Sequence, residues 1–429
     1  MSIAKVAVEI ALDREFDYRI PERLQGEIKV GSQVIVPFGK TEVRGYVIGL
    51  SETSPHKNLK EIRDRVGQKA LIGENILALA RWIAEYYGAP IENALRTVLP
   101  GAVRRKGAGF KERLVVFPTE KAADELAVEL LRKKAPKQAA VLDVLLGEGQ
   151  MFMHHLTRSS KSSGSAIHLL EEKGFVRIGR HAQERDPLAN QTILRTQPLI
   201  LMPQQAEALG RVKQSIDTLK PPVVLLHGVT GSGKTEVYMQ AIDYVLGKGR
   251  GAIMLVPEIA LTPQTIERFR GRFGDCIALL HSSLSEGERH DEWHRVFEGR
   301  ARIAIGARSA LFAPVRDLGL IVVDEEHEPT YKQEESPRYN ARDVAVMRGR
   351  MEKCAVLLGS ATPSIESFYN AGRGKYGLVE LLHRVDHRKM PVVRIVDMRV
   401  EAEREGRPNV FSRDLVNAIQ ERLKRAEQT

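Results

Sequence analysis

The octapeptide Gly228-Val229-Thr230-Gly231-Ser232-Gly233-Lys234-Thr235 limits what this chain can fold into more than any other feature. It fits G-x-x-x-x-G-K-[ST] and lies between a short apolar run, residues 223–226, and a helical stretch beginning near Lys234, the setting in which this pattern cradles phosphate. Glycines at 228, 231 and 233 let the backbone curl round an anion with its N–H groups inward, and the helix N-terminus adds partial positive charge. Lys234 is expected to reach the β- and γ-phosphates of ATP, and Thr235 to place its hydroxyl on Mg²⁺. Such a loop needs a sheet to carry it. The runs at 223–226, 252–256, 303–305, 320–323 and 355–358 are short, rich in β-branched residues and separated by helical or loop segments, as strands buried on both faces of a parallel sheet are.

A second run, Leu320-Ile321-Val322-Val323, leads directly into Asp324-Glu325-Glu326-His327. A buried strand thereby delivers carboxylates to the end of the sheet where the P-loop opens. Asp324 is expected to hold the Mg²⁺ shell and Glu325 to orient and partly deprotonate an attacking water. Taken alone, an acidic strand end is equally consistent with an exposed surface; beside a P-loop the catalytic reading prevails. His327 is expected to couple the γ-phosphate to neighbouring segments. A third strand, 355–358, ends in Gly359-Ser360-Ala361-Thr362-Pro363, where Ser360 and Thr362 are expected to hydrogen-bond the acidic pair; a plain polar turn is the alternative.

The rest of the chain is organised differently. Residues 1 to about 100 suggest a small β-rich barrel, with strands at 5–10, 31–38 and 44–50, followed by a helix over 75–87 whose apolar face ends at Gly88 and Pro90. Residues 104–109 look like a linker. From 111 to about 180 the pattern is helical, with a helix at 135–146 and, after a serine-rich entry at 159–163, another at 164–173 running into a short strand at 174–178. That order suggests a winged-helix module with residues 160–173 in the recognition position, or else a plain helical spacer. Residues 183–197 are polar and aperiodic, as linkers are. At 429 residues, the chain is long enough for roughly two to four domains.

Composition narrows the function classes. Lysine and arginine number 65 against 55 acids, a net charge of +10, which suits phosphate backbones but equally an ordinary solvated surface. The two cysteines, Cys276 and Cys354, have no partners at metal-ligand spacing, so neither a structural disulfide nor a zinc site is expected. The N-terminal residues lack the layout of a signal peptide, and no apolar run reaches the ~18 residues a membrane helix needs. A cytoplasmic protein without membrane partners is the expectation.

The three site motifs occur in the order and form of motifs I, II and III of superfamily 2 helicases. Further segments narrow the resemblance: 228–238 with its Thr-Glu-Val-Tyr extension, 256–264 (Val-Pro-Glu-Ile-Ala-Leu-Thr-Pro-Gln), 308–314 (Arg-Ser-Ala-Leu-Phe-Ala-Pro) and Tyr331-Lys332-Gln333. Together these are similar to the primosomal, replication-restart DNA helicases. The resemblance implies a 3′-to-5′ DNA helicase that recognises stalled or forked DNA and initiates primosome assembly. It implies ATP and Mg²⁺ as cofactors, forked and single-stranded DNA as partners, and contacts with single-stranded-DNA-binding protein and other primosome proteins.

By the same resemblance Gln205 reads adenine, and residues 256–265 and 306–314 contact a DNA strand. Residues 331–342 form an aromatic-rich loop coupling DNA to ATP, in which Tyr331 and Tyr339 would stack on bases while Arg338 and Arg342 meet phosphates; Arg308, in the 306–314 segment, is a further implied DNA contact. At the front, Phe16-Asp17-Tyr18, Val36-Pro37-Phe38-Gly39-Lys40 and Lys60 resemble a pocket for the 3′-hydroxyl end of a DNA strand, with Phe16, Asp17, Gly39 and Lys60 as its contacts. Without the resemblance, Phe16 and Phe38 read simply as core residues of a small domain. The implied domains are a DNA 3′-end-binding unit (1–103), a winged helix (111–182), a linker (183–200), a RecA-like ATP-binding lobe (201–385) and the start of a second lobe (386–429).

The resemblance covers only the front half of that family. The rest of the second lobe, a zinc-bearing cysteine insert and an arginine finger are expected in the half not represented here; such a finger is worth about 10³–10⁵ in turnover. Ala307 stands where the family has threonine. Two other readings follow from the residues: a DNA-fork-binding scaffold that binds ATP without efficient hydrolysis, and a P-loop enzyme acting on small molecules. Against the latter stand the motifs at 324–327 and 360–362.

Overall fold

Strands at the front of the chain alternate between two cores rather than between core and water. In the computed structural model, which describes residues 2–8, 14–67, 70–104, 111–183, 185, 187, 193–385, 393–406 and 408–428, β1 (Ile3–Val8), β2 (Glu15–Arg19), β3 (Gln33–Phe38), β4 (Thr41–Ser51) and β5 (Asp64–Val66) form an antiparallel sheet in the order β2-β1-β4-β3-β5. Ala4, Val6 and Val8 point into one core with Tyr18, Val36 and Ile62. Ala7, Tyr46 and Ile48 point to the other side, against α1 (Glu74–Tyr86), α2 (Ile91–Val98) and α3 (Gly101–Arg104). The apolar stripe of α1, with Leu77, Ala80 and Ile83, continues into the core of the large lobe around Trp293, Phe312 and Val344. Helices expected to belong to a separate front domain thus share apolar packing with the lobe.

The middle of the chain departs from its helical texture at the outset, because Lys111–Pro118 is a strand, β6. It is followed by α4 (Glu125–Lys134), α5 (Pro136–Glu148), β7 (Met151–Phe152), α6 (Met153–Ser159), α7 (Gly164–Glu172) and β8 (Val176–Gln183). β6 lies between β7 and β8 and pairs antiparallel with β8 over its whole length. Ladder partners sixty residues away along the chain, invisible to local periodicity, therefore override the helical reading. Asp124 caps α4 by accepting from the backbone of Leu126 and Ala127. The helix expected from Gly164 to Lys173 begins at Gly164, and in its serine-rich entry Ser160 donates to Leu156 O at 2.5 Å and meets Ser162 Oγ at 2.8 Å, closing the α6–α7 turn with local bonds. The segment 105–110 and much of 183–192 lie outside the described residues. From Arg195 the connection is docked: Thr196 N donates to Gly271 O at 3.0 Å and Leu199 N to Glu236 Oε1 at 3.1 Å.

The lobe comprises α8 (Pro203–Thr218), β9 (Val223–Gly228), α9 (Lys234–Gly247), β10 (Gly251–Leu255), α10 (Pro263–Phe273), β11 (Ile277–Leu280), α11 (Glu286–Phe297), β12 (Ile303–Gly306), β13 (Leu318–Val323), α12 (Ala341–Glu352), β14 (Ala355–Ser360), α13 (Ile365–Gly372) and β15 (Gly377–Leu381). Its seven strands run parallel in the order β11-β12-β10-β13-β14-β9-β15. β13 and β14 are buried at every residue, which explains why they read as unbroken apolar runs. Because β14 lies between β13 and β9, the three motif-bearing strand ends emerge side by side at one edge. This order is what makes a site.

The described chain forms two units, Met1–His383 and Arg384–Thr429. In the second, α14 (Met398–Glu405) is capped by Asp397 and α15 (Arg413–Lys424) by Ser412, which accepts from Leu415 N. The apolar run at 392–398 reads in sequence as a strand, but residues 393–397 have no strand partner and Met398 already starts a helix, while Val392 lies outside the described residues. Ile395 is 96% exposed, and a β-branched run without a neighbouring ladder has nothing to hold it extended.

Leu358, fully buried at the centre of β14, tests the sheet. Leu358→Ala is expected to cost about 2–5 kcal/mol of stability, read as a lowered midpoint in thermal denaturation; an unchanged midpoint would contradict its place in the core.

Candidate nucleotide and nucleic-acid site

At the end of β9 the loop turns through Gly231 and Gly233, both at φ +80°, a conformation that side chains resist. Lys234 follows at the start of α9, 8% exposed. Its Nζ donates to Gly228 O at 2.8 Å and sits 3.7 Å from Glu325 Oε1. Ser232 Oγ is buried with no hydrogen-bond partner among the described residues, and Thr235, one residue into the helix, is half-buried. An ammonium and an orphaned hydroxyl at the N-terminus of a helix form a set that suits an oxyanion. Gln205, expected to read adenine, lies against the P-loop. Its Nε2 donates to Ser232 O at 2.8 Å and its Oε1 accepts from Met202 N at 2.8 Å. Both amide ends are engaged inside the protein, so the side chain braces the P-loop and caps α8.

Across β14, the end of β13 is tied down residue by residue. Asp324 N donates to Leu255 O at 2.9 Å and Glu326 N to Gly359 O at 3.0 Å. Between these anchors Glu325 is held at φ +45°, a left-handed conformation costing roughly 1–3 kcal/mol that persists only where its surroundings impose it. The Asp324 carboxylate accepts from Tyr238 Oη at 3.0 Å and from Glu325 N at 3.1 Å. Burial, reinforced by the neighbouring Glu325 charge, pushes its pKa up to about 6, against the opposing pull of the Tyr238 hydrogen bond and Lys234. Burial also holds the Tyr238 hydroxyl well above its usual range, so it stays a donor.

The last two residues of the motif face the protein. His327 Nδ1 lies 2.8 Å from Ser360 Oγ and its Nε2 3.3 Å from Thr362 Oγ1. The small hydroxyl residues at the end of β14 therefore contact the histidine and not, as expected from sequence, the acidic pair. Glu326 is 1% exposed and accepts from Ser364 N, Ser364 Oγ, Ser367 Oγ and Arg342 Nη1 at 2.7–3.3 Å. It pins the start of α13 to α12. Sequence reasoning missed Tyr238, Ser364 and Ser367 because their partners lie 38 to 86 residues away along the chain. The one available signal was the helical spacing that sets Tyr238 one turn beyond Lys234.

Three expected DNA contacts are corrected by burial. Tyr331 and Tyr339 are each 1% exposed. Tyr331 donates to Asp324 O at 2.7 Å, and Tyr339 packs edge-on against Phe312 with ring centroids 5.5 Å apart. Neither presents a face to a base. Arg342 is likewise buried, bonded to Glu326, Asp343 and Ser364. Arg338 is exposed, and Arg308 Nη1 donates to Lys332 O at 2.8 Å. Arg308 and Lys332 line a cleft of about 740 Å³ with Val256 and Glu258, whose opposite wall includes Thr97 and Gly101 of the front helices. At the front itself, Phe16 and Phe38 meet edge to face at 5.3 Å, Ser54 Oγ donates to Asp17 Oδ2 at 2.5 Å, and Lys60 Nζ donates to Gly39 O at 3.3 Å. Phe16 and Lys60 thus lie beside the β3–β4 turn at Phe38 and Gly39, while Asp17 is engaged by Ser54.

A parallel sheet presenting a P-loop, an Asp-Glu-Glu-His strand end and a Ser-Ala-Thr strand end side by side is the RecA-like lobe of a helicase. Residues 202–370 match the DEAD/DEAH box helicase family and residues 5–100 match the PriA 3′DNA-binding domain (3′BD). Along its length the chain is similar to the replication restart protein PriA. Over its whole length it is 38% identical to the replication restart protein PriA of Bacillus subtilis, and over 99% of its length 37% identical to that of Chlamydia pneumoniae. It spans 61% and 57% of those relatives.

The raised pKa of Asp324 carries a stability consequence. Its native carboxyl titrates near 6 against an ordinary 3.8, so the folded state holds the proton more tightly. The ionised form destabilises the fold by up to about 3 kcal/mol above pH 6, and that penalty fades as pH falls towards 4. Asp324→Asn is accordingly expected to raise the melting temperature of the nucleotide-free protein at pH 7.5, with the gain shrinking at pH 4.5. A gain of equal size at both would refute the buried-carboxylate account.

Proposed function

We propose that this chain is the DNA-recognition and ATP-binding portion of a replication-restart helicase that unwinds forked DNA in the 3′-to-5′ direction and initiates primosome assembly. The observation carrying the proposal is the approach of Lys234 to Glu325, 3.7 Å apart across two strand ends: a phosphate-binding cation beside a carboxylate held in a strained backbone conformation. Entry of ATP phosphates would draw Lys234 Nζ off Gly228 O onto the β- and γ-oxygens, relieving its pairing with Glu325. Glu325, freed of that cation, is then placed to orient a water and accept its proton.

Thr235 and Asp324 supply hard oxygen donors of the kind that hold Mg²⁺ through a nucleotide rather than in an all-protein cage. Bound there, Mg²⁺ would neutralise charge on the phosphates. His327, touching both Ser360 and Thr362, would report the γ-phosphate to the strand end of β14.

For DNA, we assign the cleft under Arg308 and Lys332 to a single strand and the Phe16, Asp17, Gly39 and Lys60 cluster to a 3′ end. The family match of residues 5–100 supports the latter. An aromatic platform and a carboxylate able to accept a hydroxyl suit a chain end. The helix-turn-helix of α6 and α7 backed by the β7-β6-β8 sheet supports a winged-helix reading of the middle unit. Among partners, single-stranded-DNA-binding protein and other primosome proteins follow from the family.

Lys234→Ala is expected to abolish ATP binding and DNA-stimulated hydrolysis while leaving fork affinity unchanged in fluorescence anisotropy; equal loss of both in a folded variant would contradict separate sites. In the wild-type chain, fork binding without turnover would favour a fork-binding scaffold that holds ATP idle. Asp17→Ala is expected to erase any preference for a 3′-hydroxyl over a 3′-phosphate terminus, and a variant that keeps the preference would remove the pocket assignment.

A further inference from the structure

Tyr238 is engaged with the acidic motif yet has no part in the roles assigned above. It lies one turn along α9 from Lys234, is fully buried, and donates its hydroxyl to Asp324 Oδ1 at 3.0 Å. The backbone of Asp324 is secured independently, its N–H bonded to Leu255 O and its carbonyl accepting from Tyr331 Oη. What remains free to turn is the carboxylate, and there two donors, Tyr238 Oη and Glu325 N, converge on the same oxygen. With Oδ1 so occupied, Oδ2 is the oxygen left to face a metal shell.

The approach is built into the neighbouring strand. A Cβ at Gly359 would fall 1.7 Å from the Tyr238 hydroxyl oxygen and 2.6 Å from Cζ. The ring therefore reaches Asp324 only because residue 359 of β14 has no side chain. A tyrosine serving merely to fill the core would need neither its hydroxyl at that point nor a glycine to admit it.

We propose that Tyr238 is a positioning residue for Mg²⁺-nucleotide binding, orienting the Asp324 carboxylate from the P-loop helix so that a single oxygen serves the metal shell. The proposal rests on the reading of Asp324 as the Mg²⁺-holding carboxylate. Groups that orient metal-binding side chains in this way commonly contribute tenfold or more to metal affinity.

The test is the affinity of the full chain for a fluorescent ATP analogue, titrated once with excess Mg²⁺ and once with EDTA, in the wild type, Tyr238→Phe and Asp324→Asn. Phenylalanine keeps the ring and its packing. Tyr238→Phe is expected to cut the Mg²⁺-dependent gain in affinity about tenfold, with affinity in EDTA unchanged. Equal losses in both conditions would make Tyr238 a packing residue of the P-loop helix and overturn the proposal, as would an undiminished gain. Asp324→Asn separates the two levels. If it retains the full gain, the metal-holding reading of Asp324 is itself wrong; if it loses the gain while Tyr238→Phe keeps it, only the role of Tyr238 falls.

Discussion

The Asp324 carboxylate at the end of β13 is the point on which the rest of the lobe converges. It is buried, its pKa is pushed up to about 6, and it is ringed by groups from four elements. Tyr238 reaches it from α9, Leu255 holds its backbone from β10, Tyr331 bonds its carbonyl from the following loop, and Gly359 opens the space in β14. A buried carboxylate is costly unless hydrogen bonds and a nearby cation compensate it. Here the compensation comes from segments that must also be in place for ATP. The strand order β13-β14-β9 supplies the geometry, and without it Lys234 and Glu325 would not meet.

The four residues of the acidic motif divide their work by direction. Asp324 and Glu325 face the P-loop, whereas Glu326 and His327 face inward to α12, α13 and the end of β14. Glu326 accepts four hydrogen bonds while almost wholly buried, so its charge is matched by Arg342 and by serine donors, the condition under which a buried ion is tolerated. The segment between Tyr331 and Arg342 is therefore anchored at one end on Asp324 and at the other on Glu326. Its middle meets the front helices: Asn340 N donates to Tyr87 Oη at 3.3 Å and Asn93 Nδ2 to Ser336 Oγ at 3.3 Å. The front helices thus touch the same stretch of chain whose ends hold the acidic motif, and they share a hydrophobic core with the lobe.

This arrangement explains why the tyrosines and arginine of that segment looked like DNA contacts in sequence and are not exposed as such. Tyr331, Tyr339 and Arg342 were expected to meet DNA through the resemblance of residues 331–342 to a helicase loop, and a loop-like stretch ordinarily runs over the surface. Here the loop folds back on the acidic strand end, so its aromatic side chains enter the core. Arg308 and Lys332 border the cleft, and Arg338 is exposed.

Local chemistry was legible from the residues alone. The P-loop, the acidic strand end, the Ser-Ala-Thr turn and five apolar strands each announce themselves through short-range pattern, since phosphate binding and two-sided burial impose strict residue types on consecutive positions. The helix over 75–87 was visible for the same reason. Tertiary structure alone decided the rest: that 111–118 is a strand, that residues 393–397 are not, that Gln205 braces the P-loop, that Ser360 and Thr362 turn to His327, and that Tyr238 reaches Asp324. Each of these depends on a partner far along the chain, on a ladder, a buried acceptor or a missing Cβ, and no local pattern encodes where such a partner will be.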